Sequence, residues 1–529
     1  MSTPSSEPCV PSIEAVPTAP GDACVLWHRR DLRLPDNRAV EYATTTYDAV
    51  CPLFAFDPRF YGADGLACDA RLRFLHECLT DLAAAYEDVG STLVLGHGAP
   101  SDVLGTFLDR GWDVVANREV TGRYGEERDE ALEGAGVRFV SDDGIRYGQE
   151  SREGWAEYAE SYFEGEVSRP HPSGFGSHGV DTDGEVTVEA VEHAYDVDPS
   201  KHEVPQGGRT AALARLDRFL DVIHEYQNRI SSPLGAKTYA SRLSAHLRFG
   251  ALSPREVYRA LDDAIDCDGK EAFVSRLYWN RHYTQKLADW SGWMDTAVNP
   301  VFEGFYASNR DEGLIRAWKR GRTGFPMVDA SMRCLRRTGW LNFRMRAMCA
   351  SVFSLLFKQP WQVGADYMYY HLVDADPAIN YTQWQSQSGL KGIGAIRLYN
   401  PRKQLRDNDP EGEFVKRWVP ELEPVPVDHL DRPERMPLAL QDEVGVDVGT
   451  DYPYPVVDYE QERRAALDTF GDLRAEAEAA YADPEVFGRA SLSPKSRKVV
   501  ERATGEQTAV TDGSENGPTG QAGLDRFAE

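Results

Sequence analysis

The chain has 529 residues, 41% of them hydrophobic, and a formal net charge of −27 that arises from 85 Asp and Glu against 58 Lys and Arg. A chain of this length can bury two or more separate cores. The charge argues against a protein whose whole surface attracts nucleic acid, and no apolar run reaches the roughly 18 residues that a spanning helix needs.

The composition also bears on compartment and metal content. Residues 1–22 lack the charged-then-apolar order of a signal peptide, so we expect a soluble cytoplasmic protein with no membrane contact. The eight Cys show neither CxxC pairs nor zinc spacing, as is typical of free thiols in a reducing compartment. We therefore expect no metal site.

Residues 1–22 are rich in Ser, Pro and Glu and are expected to be disordered. Strands and helices then alternate, which predicts a doubly wound parallel α/β domain of Rossmann type over residues 23–150. The predicted strands are 25–27, 50–56, 92–95 and 114–116, and the predicted helices are 71–89 and 100–110. Residues 151–209 are polar with weak periodicity and are interpreted as an interdomain linker.

Helical periodicity begins at Thr210 and predicts a large all-α domain over residues 210–490. The candidate helices are 210–225, 254–267, 271–288, 312–319, 328–337, 341–358, 364–373 and 459–482. Ser253 followed by Pro254 is a typical helix start. Residues 491–529 are interpreted as a disordered acidic tail.

The positive charge is unevenly distributed. The chain has only eleven Lys, none of them before Lys201, and few Lys among dispersed acids suggests adaptation to a salt-rich cytosol. Residues 310–346 nevertheless hold ten Arg or Lys against three acids. This excess predicts a surface that faces phosphate, although solvated helix faces and internal ion pairs would give the same pattern.

Two segments of the helical region have the chemistry of a cofactor site. Residues 374–380 (DADPAIN) contain Asp374, which needs a cation if it is buried, and Arg346 is the candidate. Asn380 could offer its amide to a ring nitrogen. Upstream, residues 240–244 (ASRLS) present hydroxyl and backbone N–H groups that suit phosphate oxygens at a helix start.

With residues 27–37 (WHRRDLRLPDN), these segments resemble the photolyase/cryptochrome family, over Val25 to about Leu422. The resemblance implies FAD in the helical domain. It also implies a possible second antenna chromophore, a pterin or a deazaflavin, in the α/β domain. Residues 117–119 (NRE) fall near the family's antenna-side loop but match it loosely, so the antenna stays open.

The resemblance also implies residue roles. The expected FAD residues are Tyr226, Ala240, Ser241, Arg242, Leu243, Ser244, Trp279, Phe343, Arg346, Asp374, Ala375, Asp376 and Asn380. The expected DNA and lesion residues are Arg276, Trp279, Asn280, Tyr283, Phe343, Arg344, Arg397 and Gln404. For electron transfer, Trp384 and Trp361 match two of the family's three tryptophans, Ser308 stands at the third position, and Tyr306 is the candidate terminus.

The lesion pocket departs from the family pattern. Pyrimidine-dimer photolyases have Glu at Arg276, Arg at Asn280, Asn at Phe343 and Met at Ala347. The (6-4) photolyases have paired His at positions 342 and 343, and iron–sulfur members need four clustered Cys. The lesion type therefore stays open, and the iron–sulfur subfamily is excluded.

The resemblance implies a deoxyribodipyrimidine photo-lyase-like enzyme. Excited reduced FAD would give one electron to a pyrimidine lesion, which must be flipped out of UV-damaged DNA to reach a buried flavin. A cryptochrome-type blue-light receptor without repair activity is the alternative, favoured by the altered pocket and the tail. A flavodoxin-like electron carrier is disfavoured by the large helical domain, and we expect a monomer.

Overall fold

The computed structural model describes residues 13, 16–148, 152, 154–170, 174–180, 186–394, 396–492 and 494–504. Residues 16–22 lie against the first domain, because Val16 is buried and the Trp112 indole N–H donates to the Pro17 carbonyl oxygen (2.8 Å). The prediction of disorder up to residue 22 is therefore wrong for this segment. Most of the earlier residues lie outside the described part of the chain.

The first domain contains one parallel sheet with strand order β3-β2-β1-β4-β5. The strands are β1 Ala23–His28, β2 Ala49–Phe56, β3 Val94–His97, β4 Asp113–Asn117 and β5 Arg138–Val140. The helices are α1 Arg38–Thr46, α2 Asp69–Asp88, α3 Pro100–Leu108 and α4 Arg123–Gly134. β1 and β2 are buried along their whole length, as expected for strands covered on both faces. The predicted doubly wound domain is confirmed.

The segment interpreted as a linker contains two helices, α5 Trp155–Glu164 and α6 Val188–Ala194. Trp155 and Phe163 of α5 are buried, so this part of the linker packs on the protein. One hydrophobic core runs from the sheet through α5 and into the helical region. The two domains therefore share a core.

The second domain is built from helices. They are α7 Arg209–Val222, α8 Tyr226–Arg229, α9 Pro233–Tyr239, α10 Ser244–Arg248, α11 Pro254–Ala260, α12 Asp268–Asp289, α13 Glu312–Arg320, α14 Pro326–Thr338, α15 Phe343–Ser351, α16 Trp361–His371, α17 Pro377–Gln387, α18 Pro401–Asn408, α19 Glu413–Trp418, α20 Val427–Leu430, α21 Leu438–Val444, α22 Tyr459–Ala479, α23 Pro484–Ala490 and α24 Pro494–Thr504. The predicted all-α domain is confirmed.

Three helices differ from the predicted elements, two in a boundary and one in its presence. α11 ends at Ala260 rather than at 267, where Asp262 and Asp263 would oppose the negative end of the helix dipole. α16 starts at Trp361 directly after a proline. α24 occupies residues 494–504 and buries Val500 in the helical core, so the prediction of a disordered tail from 491 is wrong for these residues.

In the described part of the chain, helices long enough to span a bilayer are too polar to do so. Residues 310–346 were predicted to form a surface that faces phosphate, but only some of their cations are exposed without an acidic partner among the described residues. Arg333 pairs with Glu421 (2.6 Å) and Arg310 with Glu312 (2.7 Å). Outside these two pairs, the exposed cations of this segment are Arg316, Arg320, Arg322, Arg336 and Arg337. Internal pairs therefore account for part of the local charge.

Candidate functional site

A nearly buried ion pair joins α15 to the segment before α17. Arg346 Nη2 donates to both carboxylate oxygens of Asp374, at 2.9 and 3.1 Å, and Arg346 Nε donates to the Leu341 carbonyl oxygen at 2.7 Å. The side chain of Asp374 is 7% exposed and that of Arg346 is 24% exposed. The structure thus forms the pair expected from the sequence and fixes the guanidinium plane with a third bond.

Asp376 and Asn380 have different structural roles. Asp376 caps α17, accepting from the Ile379 N–H at 3.0 Å, and lies 3.5 Å from an Arg248 nitrogen. The Asn380 side-chain N–H₂ donates to the Ala365 carbonyl oxygen of α16 at 3.0 Å. This bond uses one of the two N–H donors of the amide and fixes its orientation, so that the second N–H and the amide oxygen remain for a ligand. Ala375 is buried between the two acids.

The loop before α10 brings two cations together. Arg242 has φ +51°, its guanidinium lies 4.7 Å from the Trp340 ring centroid, and its buried Nε has no hydrogen-bond partner. Arg215 of α7 donates to the Ser241 carbonyl oxygen at 3.3 Å. Burial, and then the charges of Arg242 and Arg218, lowers the pKa of Arg215 to about 10.

A buried cation beside another cation is unfavourable without an anion. Arg215 and Arg242 flank the loop expected to hold the FAD diphosphate, and an orphaned guanidinium Nε is a donor that a phosphate oxygen could satisfy. The residues present therefore fit an anionic group. Arg215 was not identified from the sequence, because its spacing from Arg242 gives no local signal.

An aromatic wall continues from the site toward solvent. The Trp279 ring of α12 lies 4.4 Å from that of Tyr283 and 5.6 Å from that of Phe343, centroid to centroid. Phe343 opens α15 and is 43% exposed, so the wall reaches the surface. Arg276 hydrogen-bonds Tyr226 and lies 5.8 Å from the Trp279 ring. These residues are thus brought together, as expected.

Two glutamines that sequence reasoning missed lie along α17, on the face of Asn380. Gln383 and Gln387 follow Asn380 at spacings of three and seven, which places all three along one side of the helix. Gln387 Nε2 donates to Gln383 Oε1 at 3.5 Å, while Gln383 Nε2 and Gln387 Oε1 are buried without a well-formed hydrogen bond. Gln383 also lies beside the Tyr283 hydroxyl.

As long as the two amides bond each other, one of them keeps its N–H₂ group and the other its oxygen for a ligand, and reversing both amides only exchanges these two roles. Adjacent donor and acceptor groups complement the carbonyl and N–H edge of a pyrimidine ring. The spacing of Gln383 and Gln387 after Asn380, three and seven residues along one helix face, is the signal that could have revealed the pair.

Several expected lesion contacts bind the protein's own groups. Asn280 Oδ1 accepts from Arg281 at 2.6 Å, Arg344 donates to the Ser231 hydroxyl at 3.3 Å, and Gln404 Oε1 accepts from Asn408 at 3.2 Å. Arg397 is exposed. Asn280, Arg344 and Gln404 thus each have a hydrogen-bond partner within the protein, and their contact with a lesion stays a prediction.

The expected electron-transfer residues have different surroundings. The buried Trp384 ring contacts those of Trp318 (6.0 Å) and Phe353 (5.9 Å), and Trp361 contacts Tyr381 (6.4 Å).

The ring of Tyr306, the expected surface terminus, lies 4.0 Å from that of Phe305, centroid to centroid, with the two planes tilted by 35°. Its hydroxyl is buried, which raises the pKa of Tyr306 to about 12. Ring contacts among the described residues do not connect Tyr306 to Trp361 or Trp384.

Polar side chains of residues 27–37 and 117–119 form a cluster at the carboxyl edge of the sheet, and they bond to one another and to nearby acids. Arg29 donates to Asp129 and to the Asn117 carbonyl oxygen, Asn117 donates to Asn37 Oδ1 at 2.7 Å, and Arg30 donates to Glu119 at 2.8 Å. This edge lies between β1 and β4, where the strand order reverses. The cluster therefore supports the turn and does not present free polar groups to a ligand.

Two family models match the chain. One, described as the FAD binding domain of DNA photolyase, matches residues 273–472, and the other, described as DNA photolyase, matches residues 24–145. The chain is 29% identical over 495 residues to a deoxyribodipyrimidine photo-lyase of Synechococcus, covering 87% of this chain and 98% of the relative. It is 29% identical over 487 residues to a cryptochrome DASH of Natronomonas pharaonis, covering 83% and 98%.

Solved structures resemble the whole described fold. A class III photolyase of Agrobacterium tumefaciens superposes with a TM-score of 0.71 at 27% identity, covering 87% of this chain and 99% of that one. An archaeal photolyase of Sulfolobus tokodaii, solved with two FAD molecules, superposes with a TM-score of 0.70 at 27% identity, covering 85% and 100%. Both the α/β domain and the helical domain thus have structural relatives.

Proposed function

The chain belongs to the photolyase/cryptochrome family, and from that premise we propose that it is a blue-light-dependent flavoenzyme that repairs pyrimidine lesions in DNA. The observation that carries this proposal is the buried amide pair Gln383 and Gln387, which continues the Asn380 face of α17 and adjoins Tyr283. Buried polar groups without strong partners cost free energy, and the edge of a pyrimidine ring placed against this pair would give both groups a partner.

FAD is the cofactor, and its proposed contacts follow from the geometry above. Arg242 and Arg215 would neutralise the diphosphate, and the Arg346–Asp374 pair would hold a positive group beside the ring. Asn380, oriented by its bond to the Ala365 carbonyl oxygen, would present its amide oxygen or its second N–H to the ring. When bound and reduced, FAD supplies one electron after absorbing light.

The lesion would be bound by residues of α12, α15 and α17. Trp279 and Phe343 meet edge to face at 89° and offer apolar surface to a base that has left the stack. Gln383 and Gln387 would bond the pyrimidine edge. Arg276, which lies beside the Tyr226 hydroxyl, would donate to a carbonyl oxygen of the lesion or to a flanking phosphate.

A cryptochrome-type receptor without repair activity is the second candidate. The observation that favours it is the engagement of Asn280 by Arg281 and of Arg344 by Ser231, which draws two expected lesion contacts away from substrate. The relative named cryptochrome DASH is also consistent with it.

Three finer features belong to the proposal. The Sulfolobus photolyase holds two FAD molecules, so a second, antenna chromophore is proposed here too, its chemistry open between a flavin, a pterin and a deazaflavin. Monomeric state and cytoplasmic location are proposed from the sequence. DNA that carries a UV lesion is the proposed partner.

Equilibrium binding separates the two candidates. The flavin-loaded protein is titrated in the dark with duplex DNA containing one cyclobutane dimer, one (6-4) lesion or no lesion, at several salt concentrations. Repair predicts tighter binding of one damaged duplex at every salt at which the protein stays folded. Equal affinity for all three duplexes would favour the receptor.

A further inference from the structure

A second series of aromatic rings runs from Trp384 toward the surface, in addition to the expected path through Trp361. Trp318 of α13 lies 6.0 Å from Trp384 and 5.7 Å from Tyr367 of α16, centroid to centroid. Trp318 is fully buried, whereas Tyr367 is half-buried. Three oxidisable rings therefore form one continuous set of edge contacts from the flavin side of α17 to solvent.

The outer surface above Tyr367 is basic, although the chain as a whole is strongly acidic. The ammonium group of Lys319 lies 5.0 Å from the Tyr367 ring. Lys201 approaches His371 at 3.2 Å and donates to the Arg336 carbonyl oxygen at 2.9 Å, and the His371 ring lies 4.4 Å from that of Tyr367. Burial, and then the charges of the surrounding lysines and arginines, lowers the pKa of His371 to about 3.

α13 joins these two features. Its inner face carries Trp318, and its outer face carries Arg316, Lys319 and Arg320, which recur at spacings of three and four. Arg316 and Arg320 are exposed. A single helix thus places an oxidisable ring on the inside and three cations on the outside.

We propose that Trp384, Trp318 and Tyr367 form an electron-entry route and that the basic surface around Lys319 docks an acidic protein that donates one electron from a metal centre. Charge complementarity selects an acidic partner, because Arg316 and Arg320 are exposed beside Lys319 and a local positive patch attracts an anionic protein surface. The inference rests on FAD being bound but not on whether the protein repairs DNA.

One electron passes along the three rings in each cycle. Trp384 would give one electron to the light-excited flavin and regain it from Trp318, whose indole N–H donates to the Cys349 carbonyl oxygen (3.1 Å), an acceptor too weakly basic to take the proton. Trp318 therefore keeps its proton and takes an electron from Tyr367. The Tyr367 hydroxyl donates to the Lys319 carbonyl oxygen (3.0 Å). On oxidation it gives up its phenolic proton to bulk water, and it then recovers one electron from the donor and one proton from water, which leaves the donor oxidised by one electron.

Nearby cations disfavour a positive charge on Trp318, so the route should work best when an anionic partner neutralises them. The charge of a small-molecule electron donor should therefore change the rate of photoreduction. With a small anionic donor, ferrocyanide, photoreduction should be roughly tenfold faster than with a cationic ferrocene derivative at low salt, and the ratio should approach one as salt screens the surface.

Two sets of variants test the route in the flavin-loaded protein. Trp318→Phe and Tyr367→Phe should each slow photoreduction at least tenfold while the flavin absorption spectrum stays unchanged, and the transient tyrosine radical should disappear in Tyr367→Phe. Tyr306→Phe is the matched control and should retain the parental rate. Parental rates in Trp318→Phe, or a slow Tyr306→Phe, would overturn the route.

The docking surface is tested in the dark by calorimetry with an oxidised plant-type ferredoxin as the acidic probe. Lys319→Glu with Arg320→Glu should abolish binding, whereas Arg463→Glu with Arg464→Glu, an equal charge reversal on the exposed face of α22, should not. No binding by the parent protein would refute the surface. If the first double variant weakens binding of undamaged duplex DNA as much as that of ferredoxin, the surface belongs to DNA and the partner is wrong.

Discussion

Replacing Asp374 should damage the flavin site far more than replacing Asp376. Asp374→Ala leaves Arg346 largely buried without its carboxylate, and breaking a buried pair costs about 3–5 kcal/mol. Because the Arg346 side chain is 24% exposed and keeps its bond to Leu341, the lower end, about 3 kcal/mol, applies. Asp376→Ala removes a helix cap that bonds Ile379, at a cost of about 1 kcal/mol.

The difference, about 2 kcal/mol, corresponds to roughly a thirtyfold difference in FAD affinity if both losses act on the bound state. Apoprotein of each variant is titrated with FAD, and flavin fluorescence reports binding. Urea unfolding of each apoprotein separates lost affinity from lost stability. Equal FAD affinities in two variants of equal stability would refute the role given to the Arg346–Asp374 pair.

Three further outcomes are expected. Trp384→Phe should retain FAD but lose photoreduction by external donors, because Phe is far harder to oxidise; a parental rate would place the electron donor elsewhere. Gly364→Ala should lower the unfolding free energy by about 1–3 kcal/mol, since a Cβ would lie 2.3 Å from the Trp384 ring; unchanged urea unfolding would contradict that packing. Arg276→Ala should weaken binding of lesion-containing duplex DNA more than that of undamaged DNA, whereas equal losses with a lower salt slope would show a phosphate contact.

The sequence contains enough information for the architecture and for the ion pair. Alternating strands and helices specify a parallel sheet because each crossover must cover one of its faces. The Arg346–Asp374 pair was foreseeable because a buried carboxylate requires a cation. The sheet follows from the local alternation of strands and helices, and the ion pair follows from the high free-energy cost of burying a carboxylate without a cation.

What escaped prediction depends on how distant segments pack. Arg215 meets Arg242 only because α7 lies beside the loop before α10, and Trp318 meets Trp384 only because α13 and α17 share a core. Tyr306 was expected at a surface terminus from its place near Ser308, but its ring lies against Phe305. α24 resembles a tail in sequence, since its apolar residues are few and only Val500 among them is shown to reach the core.

Repair itself is the most direct test of the proposed function. Reduced, flavin-loaded protein is mixed with a duplex that carries one cyclobutane dimer and illuminated with blue light, with a dark sample and a (6-4) duplex alongside, and restored pyrimidines are counted by chromatography. We expect light-dependent restoration of one of the two lesions and its loss in the Gln383→Leu, Gln387→Leu double variant, which should retain FAD. No restoration of either lesion by fully reduced protein that binds damaged DNA would contradict the proposal.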